Sequence, residues 1–196
     1  MIPLHDDLYD YDGTLCPGDT GSAFWLYCLL RRPYIVVFIP IQIVGILCYL
    51  FGRNGRIARH TSVYCFLRAV NGQKLAQRFA EKRVRKTFPY FIQRGSTRPV
   101  VVCSASPEFL LRPICDKLGV AHLVATRYDP ATGVLHGKTC KEDEKVRRLR
   151  EELPDVTYEA VYSDSLRHDA PILRLGKTAY HVVRGKPQKL SESVMT

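Results

Sequence analysis

Two hydrophobic rhythms alternate along the outer parts of this chain. The run "PVVVCSAS", residues 99–106, is apolar and β-branched almost throughout, as expected of a strand buried on both faces of a parallel sheet. Pro107 and apolar positions at Leu110, Leu111, Ile114, Cys115 and Leu118 then follow helical spacing, which ends at Gly119. "LYDY" predicts a short first strand, "YEAVYSDS" a strand running into a loop, and "TAYHVV" a last strand before a polar tail from about Lys186. "HLVATRYDPATGVLHGK" reads as two strands joined by the D-P-A-T-G turn, and "EDEKVRRLREEL" as an acid-first helix. Strands alternating with helices predict a doubly wound, Rossmann-like α/β core with a parallel sheet, built from residues 1–17 and 99–190, with 191–196 as a tail.

Residues 18–98 follow a different pattern, helical throughout. "GSAFWLYCLLRR" is largely apolar, and "YIVVFIPIQIVGILCYLF", residues 34–51, carries no charge at all. "LAQRFAEKRVRKTF" is amphipathic: Leu75, Phe79 and Val84 share one side, while Lys74, Arg78, Lys82, Arg85 and Lys86 crowd the other. This block reads as an all-helical insert in the α/β core.

Charge sharpens that division. The formal net charge is +10, and residues 18–98 hold fourteen Lys/Arg against two acids, so the insert carries all the excess. A basic surface of this kind suits anionic partners. At 46% hydrophobic and 24% charged, the composition excludes disorder and a polytopic membrane protein. The seven cysteines are scattered with no C-x-x-C pair, which points to reduced thiols in a cytosolic setting and away from a disulfide framework or a zinc site. The acidic start, "MIPLHDDLYDYDG", does not resemble a signal peptide.

Four short pieces lie at expected strand ends or beside them. They are "DYDGT" with Asp10 and Asp12, Ser104 after "VVVC", Lys145 in "CKEDEKV", and "YSDSLRHD" with Asp164 and Asp169. Each alone has a plain reading: a turn, a helix cap, a surface lysine, a polar loop. In a parallel sheet, however, the C-terminal strand ends share one edge, where ligands bind. Carboxylates gathered there repel one another unless a cation lies among them, and hard oxygen donors suit Mg²⁺. A lysine and a serine beside them would face an anion such as phosphate.

The order D-x-D-G-T, apolar strand then serine, lysine, and an acidic loop resembles the haloacid dehalogenase superfamily of phosphatases, over most of the chain outside the insert. "VVVCSASPE", "LVATRYDPATGVLHGKTC" and "C-x4-K-V" are similar to its phosphoserine-phosphatase-like branch, subfamily IB. The resemblance implies that Asp10 is a nucleophile forming an aspartyl-phosphate and that Asp12 is the general acid and base. It implies Mg²⁺ held by Asp10, the backbone carbonyl of Asp12, and Asp164, with Asp169 in support. Ser104 and Lys145 would bind the phosphoryl group. Lys138 competes with Lys145 for that role; spacing and helix context favour Lys145. Two departures stand out: Ser163 precedes Asp164 where glycine is usual, and four residues separate Asp164 from Asp169 where three are common.

In this superfamily an insert between the first two motifs is a cap that selects substrate. A cap this small has too little mass to surround an all-apolar helix, so membrane contact is the economical expectation. A single crossing fails on topology, because Asp10 precedes residues 34–51 while Ser104, Lys145 and Asp164 follow. Arg31 and Arg32 before the segment and Arg53, Arg56 and Arg59 after it give no inside–outside asymmetry. The segment is therefore expected to be re-entrant, bent around residues 40–45, or interfacial. "CKEDEKV" and "YSDSLRHDAPIL" most resemble the phosphatidylglycerophosphatase C family, bacterial enzymes with a hydrophobic cap segment. That implies dephosphorylation of phosphatidylglycerophosphate to phosphatidylglycerol at the cytoplasmic face of the inner membrane. A phosphatase of a soluble phosphomonoester such as phosphoserine is the alternative, and a non-catalytic membrane-binding module a further one. No nucleic-acid partner is expected, since the basic residues lie beside apolar helices and match no such motif.

Overall fold

The computed structural model describes residues 5–51 and 63–191. Its centre is a six-stranded sheet of order β3-β2-β1-β4-β5-β6. The strands are β1 (His5–Tyr9), β2 (Val100–Pro107), β3 (His122–Thr126), β4 (Thr157–Ser163), β5 (Gly176–Val183) and β6 (Lys186–Lys189). All neighbours are parallel except the β5–β6 pair. β1 lies in the middle, with Asp7 opposite Val100 on one side and Leu8 opposite Val161 on the other.

Both sheet faces are covered, which is why β2 reads as an unbroken apolar run. Val100 and Val102 point into a core with Phe24, Phe66, Phe79, Leu110 and Ile114. Val101 and Cys103 point the other way, against Leu8, Leu149, Val161 and Ile172. The first core is shared with the helical segment between β1 and β2. That segment contains α1 (Thr20–Arg31), a 3₁₀ stretch (Pro33–Phe38), α2 (Ile39–Phe51), a second 3₁₀ stretch (Cys65–Ala69), α3 (Gly72–Val84) and the single turn α4 (Pro89–Ile92). Beyond β2 come α5 (Glu108–Leu118), α6 (Asp143–Glu152) and the short α7 (Ala170–Leu173).

Three expectations need correction. The second strand of "HLVATRYDPATGVLHGK" reduces to one bridge, Tyr128 to Leu135. There the Asp129 carboxylate accepts from Ala131 and Thr132 N–H groups, and Gly133 takes φ +72, so the turn holds itself without a ladder. The polar tail from Lys186 is instead β6, an exposed antiparallel edge strand. Arg184 and Gly185, both at positive φ, make the tight turn that returns it to β5. Finally, residues 40–45 contain no bend: Pro40 falls in the first turn of α2, where a missing N–H costs nothing, so it starts the helix. Arg53, Arg56 and Arg59 lie outside the described residues.

α2 has 13 residues and so is about 20 Å long, against a hydrocarbon core of about 30 Å. No described helix is long and apolar enough to cross a membrane.

Candidate active site

The loop that leaves β1 is wound tightly, and it sets the geometry. Asp10 donates its backbone N–H to Tyr162 O at 2.9 Å, which continues the sheet by one residue past Tyr9. Gly13 N–H then bonds Cys16 O at 2.9 Å, closing the D-G-T turn, with Gly13 at φ +78. The Asp164 carboxylate lies directly over this turn: a Cβ on Gly13 would meet Asp164 Oδ2 at 2.1 Å. Thr14 Oγ1 accepts from Asp164 N at 2.9 Å and faces Asp164 Oδ1 at 3.4 Å. Glycine is needed at position 13 for both dihedral and space. Gly13→Ala is therefore expected to cost about 1–3 kcal/mol. Gly119→Ala, with φ +68 but open space around it, should cost less. Urea unfolding of the two variants checks the order.

Lys145 lies in the first turn of α6 and is 3% exposed. Its Nζ donates to Asp10 Oδ1 and to Asp169 Oδ1, both at 2.7 Å. Asp169 is oriented from behind by Ser163 Oγ, which donates to its Oδ2 at 2.6 Å. Serine before Asp164, a departure from the family pattern, thus has a local use. Burial lifts the Asp10 carboxyl above its ordinary range, and Lys145 opposes the lift. Burial works against the Lys145 ammonium, but Asp10 and Asp169 outweigh it and hold the lysine above its usual range. The lysine is charged, and Asp10 has an ionised partner. The second oxygen of Asp10 accepts no hydrogen bond among the described residues.

Asp12 is held differently. Oδ1 accepts from Thr20 N at 2.8 Å and from the Thr20 hydroxyl, while Oδ2 accepts from Ser106 Oγ. Arg83 Nη2 is 3.6 Å from Oδ1. Burial pushes this carboxyl upward, against the hydrogen bonds from Ser106 and Thr20. Ser104 is buried, and its Oγ accepts from Ser106 N at 3.1 Å, which leaves its own proton to donate.

Asp10, Lys145 and Asp169 therefore meet directly, Asp164 joins them across the Gly13 turn, and Asp12 connects to the end of β2 through Ser106. Among the described residues Ser104 makes no hydrogen bond to the other five. Lys138 is exposed on the loop before α6. Thr20, Arg83 and Ser106 do not stand out in the sequence, and Ser163 does so only as a departure from the family pattern. Two of them left a signal: Arg83 is four residues after Phe79, on the apolar side of α3, and Ser106 shares strand parity with Ser104. Thr20 left none.

Among the described residues no three His, Cys, Asp or Glu side chains gather as a metal cluster. The set expected for Mg²⁺ needs only two carboxylates and one carbonyl, and here it is all oxygen. Asp164 is held over Gly13 by a single long contact from Thr14, so its oxygens are available to a cation. The residues fit a hard divalent ion and offer no thiolate or imidazole donor that would favour a softer one.

A central parallel strand ending in paired aspartates, faced by a buried lysine and a third acid, defines a hydrolase site of the α/β class. The chain belongs to the haloacid dehalogenase-like hydrolase family, which it matches over residues 8–174. It is 28% identical to Protein CicA of Caulobacter vibrioides, over 91% of this chain and 86% of that one. Among solved structures it is similar to a protein of unknown function from Bordetella pertussis Tohama I, with TM-score 0.68, 22% identity, and coverage of 89% and 88%. Phosphoserine phosphatase in its apo form shares the fold at TM-score 0.52 and 15% identity, covering 89% of this chain and 84% of that one.

Proposed function

We propose that this protein is a Mg²⁺-dependent phosphomonoester hydrolase working through an aspartyl-phosphate on Asp10. The observation that carries the reading is the Lys145 bridge between Asp10 and Asp169, which engages one Asp10 oxygen and leaves the other without a hydrogen bond among the described residues. That oxygen attacks phosphorus as the bond to the leaving oxygen breaks, and Asp12 gives the leaving alkoxide a proton. Asp12 then removes a proton from water, which attacks the same phosphorus and releases Asp10. Ser104 and Lys145 bind the phosphoryl oxygens. Asp10, Asp164 and the Asp12 carbonyl would hold the metal, which supplies positive charge against the repulsion between carboxylate and phosphate. Asp169 keeps Lys145 aimed at Asp10.

The substrate is proposed to be a phosphorylated membrane lipid, with phosphatidylglycerophosphate converted to phosphatidylglycerol at the cytoplasmic face of a bacterial inner membrane. The insert of residues 18–98 then acts as a cap resting on the bilayer. Support comes from the row of large apolar side chains turned to solvent on α1, the first 3₁₀ stretch and α2: Leu26, Leu30, Val37, Ile41, Val44 and Leu47. Leu30 is 75% and Val37 66% exposed, which for a soluble surface is an unusual concentration. Exposed Arg31 and Arg32 interrupt the row where α1 meets the 3₁₀ stretch. Each basic residue near anionic lipid adds roughly 1 kcal/mol of attraction. An apolar surface interrupted by arginine suits a segment lying in the interface and not one crossing the bilayer.

The test is phosphate release from phosphatidylglycerophosphate and phosphatidate in anionic vesicles, and from phosphoserine in solution, with Mg²⁺ and with chelator. Lipid turnover that exceeds phosphoserine turnover and vanishes with chelator is expected. Faster turnover of phosphoserine than of either lipid would overturn the lipid assignment.

A further inference from the structure

Arg83 is the one basic residue of α3 turned inward, and it is 4% exposed. Its Nη2 donates to Gly18 O at 3.0 Å and to Thr20 Oγ1 at 3.1 Å. Because Thr20 Oγ1 accepts from Arg83, its own proton is directed elsewhere, and it goes to Asp12 Oδ1. The same nitrogen lies 3.6 Å from Asp12 Oδ1, and among the described residues Asp12 is the carboxylate paired with Arg83. A guanidinium this buried requires such a partner. Two further contacts tie this end of α3 to the loop after β1. Cys16 Sγ lies 3.9 Å from Arg83 O, and Phe88 N–H donates to Leu15 O at 2.8 Å.

We propose that Arg83 is a positioning residue for the Asp12 carboxyl: acting through the Thr20 hydroxyl, it fixes the orientation of the group that protonates the leaving oxygen. The idea rests on the reading of Asp12 as the leaving-group acid. It makes the chemistry depend on how the helical segment is seated, because the arginine comes from α3 and the aspartate from the loop after β1.

The consequence is selective. An alkyl oxygen leaves poorly as an alkoxide and needs the proton from Asp12, whereas p-nitrophenolate leaves without one. Loss of Arg83 should therefore damage hydrolysis of alkyl phosphates far more than hydrolysis of p-nitrophenyl phosphate. A purely structural role would lower both alike.

The experiment compares kcat and KM of the full-length protein on butyl phosphate and p-nitrophenyl phosphate, for wild type and for Arg83→Met, Arg83→Lys, Thr20→Val and Asp12→Asn. Arg83→Met is expected to lose about tenfold more kcat/KM on butyl phosphate than on p-nitrophenyl phosphate, since kcat/KM reports departure of the leaving group and not the later water step that the two substrates share. Thr20→Val should reproduce that pattern, and Arg83→Lys should recover part of the loss. Equal losses on the two substrates in Arg83→Met and Thr20→Val overturn the proposal. Should circular dichroism show Arg83→Met unfolded, Thr20→Val and Arg83→Lys decide by the same ratio. Asp12→Asn separates the two levels of the argument. If it lacks the selective loss, the acid role of Asp12 fails and the Arg83 proposal falls with it. If it shows the loss while the Arg83 and Thr20 variants do not, only the Arg83 proposal falls.

Discussion

Asp10→Asn is expected to reduce Mg²⁺-dependent phosphate release by about 10⁴-fold or more, the scale seen when a covalent nucleophile is removed. The amide cannot form the acyl phosphate, so acid-quenched protein should carry no alkali-labile phosphate, whereas wild type should. The fold should survive, because Lys145 keeps Asp169 at 2.7 Å. Activity and stability are thus predicted to separate: turnover vanishes while the urea midpoint moves little. Phosphate release above about one per cent of wild type would exclude Asp10 as the nucleophile, since that is only a hundredfold loss.

Lys145→Met should damage both properties. Two carboxylates that share one buried ammonium would be left facing each other, and stranding buried charge in this way typically costs about 3–5 kcal/mol. Activity should also fall steeply, as the phosphoryl group loses its cation. The stability loss should depend on pH, with a definite sign. Burial already raises the Asp10 carboxyl, and without the lysine it rises further. A carboxyl raised in the folded state loses stability as pH climbs from its unfolded value towards its folded one. The deficit relative to wild type should therefore be smaller at pH 5 than at pH 8, as read from urea midpoints. An equal deficit at both would mean that Lys145 acts by packing and not by charge.

The strands that place the site were legible because each is covered on both faces or begins a recognisable turn. Val100 to Cys103 alternate between two cores, which forces every residue to be apolar and makes the run visible. β6 left no such mark. Its four residues, KPQK, are all exposed, and only the Arg184–Gly185 turn hints at a hairpin. Asp10, Asp12, Lys145, Asp164 and Asp169 stood out because acids and a lysine at strand ends are chemically conspicuous. Their supports did not. Thr20 and Ser163 are small hydroxyl residues whose value arises only when a distant carboxylate arrives beside them. Arg83 was hidden by its company among exposed lysines and arginines, although its spacing from Phe79 marked the buried side. Pro40 misled in the opposite direction: proline breaks a helix in its interior but begins one in its first turn.

β1 is five residues long and lies at the centre of the sheet, yet both of its partners come from far along the chain. Closing long loops costs little more than closing short ones, about 0.6 kcal/mol per doubling. Lengthening this connection therefore costs the core little, provided that the side chains the segment buries there, Phe24, Phe66 and Phe79 among them, keep their places. The burden falls on rate, because pairing so distant in sequence is slow. During synthesis the strand that leads to Asp10 emerges before β2 and waits for residue 100 before it can pair at Asp7. A fold arranged this way leaves the exposed side of the helical segment free to diversify, while the late pairing of β1 is the step that diversification must not obstruct.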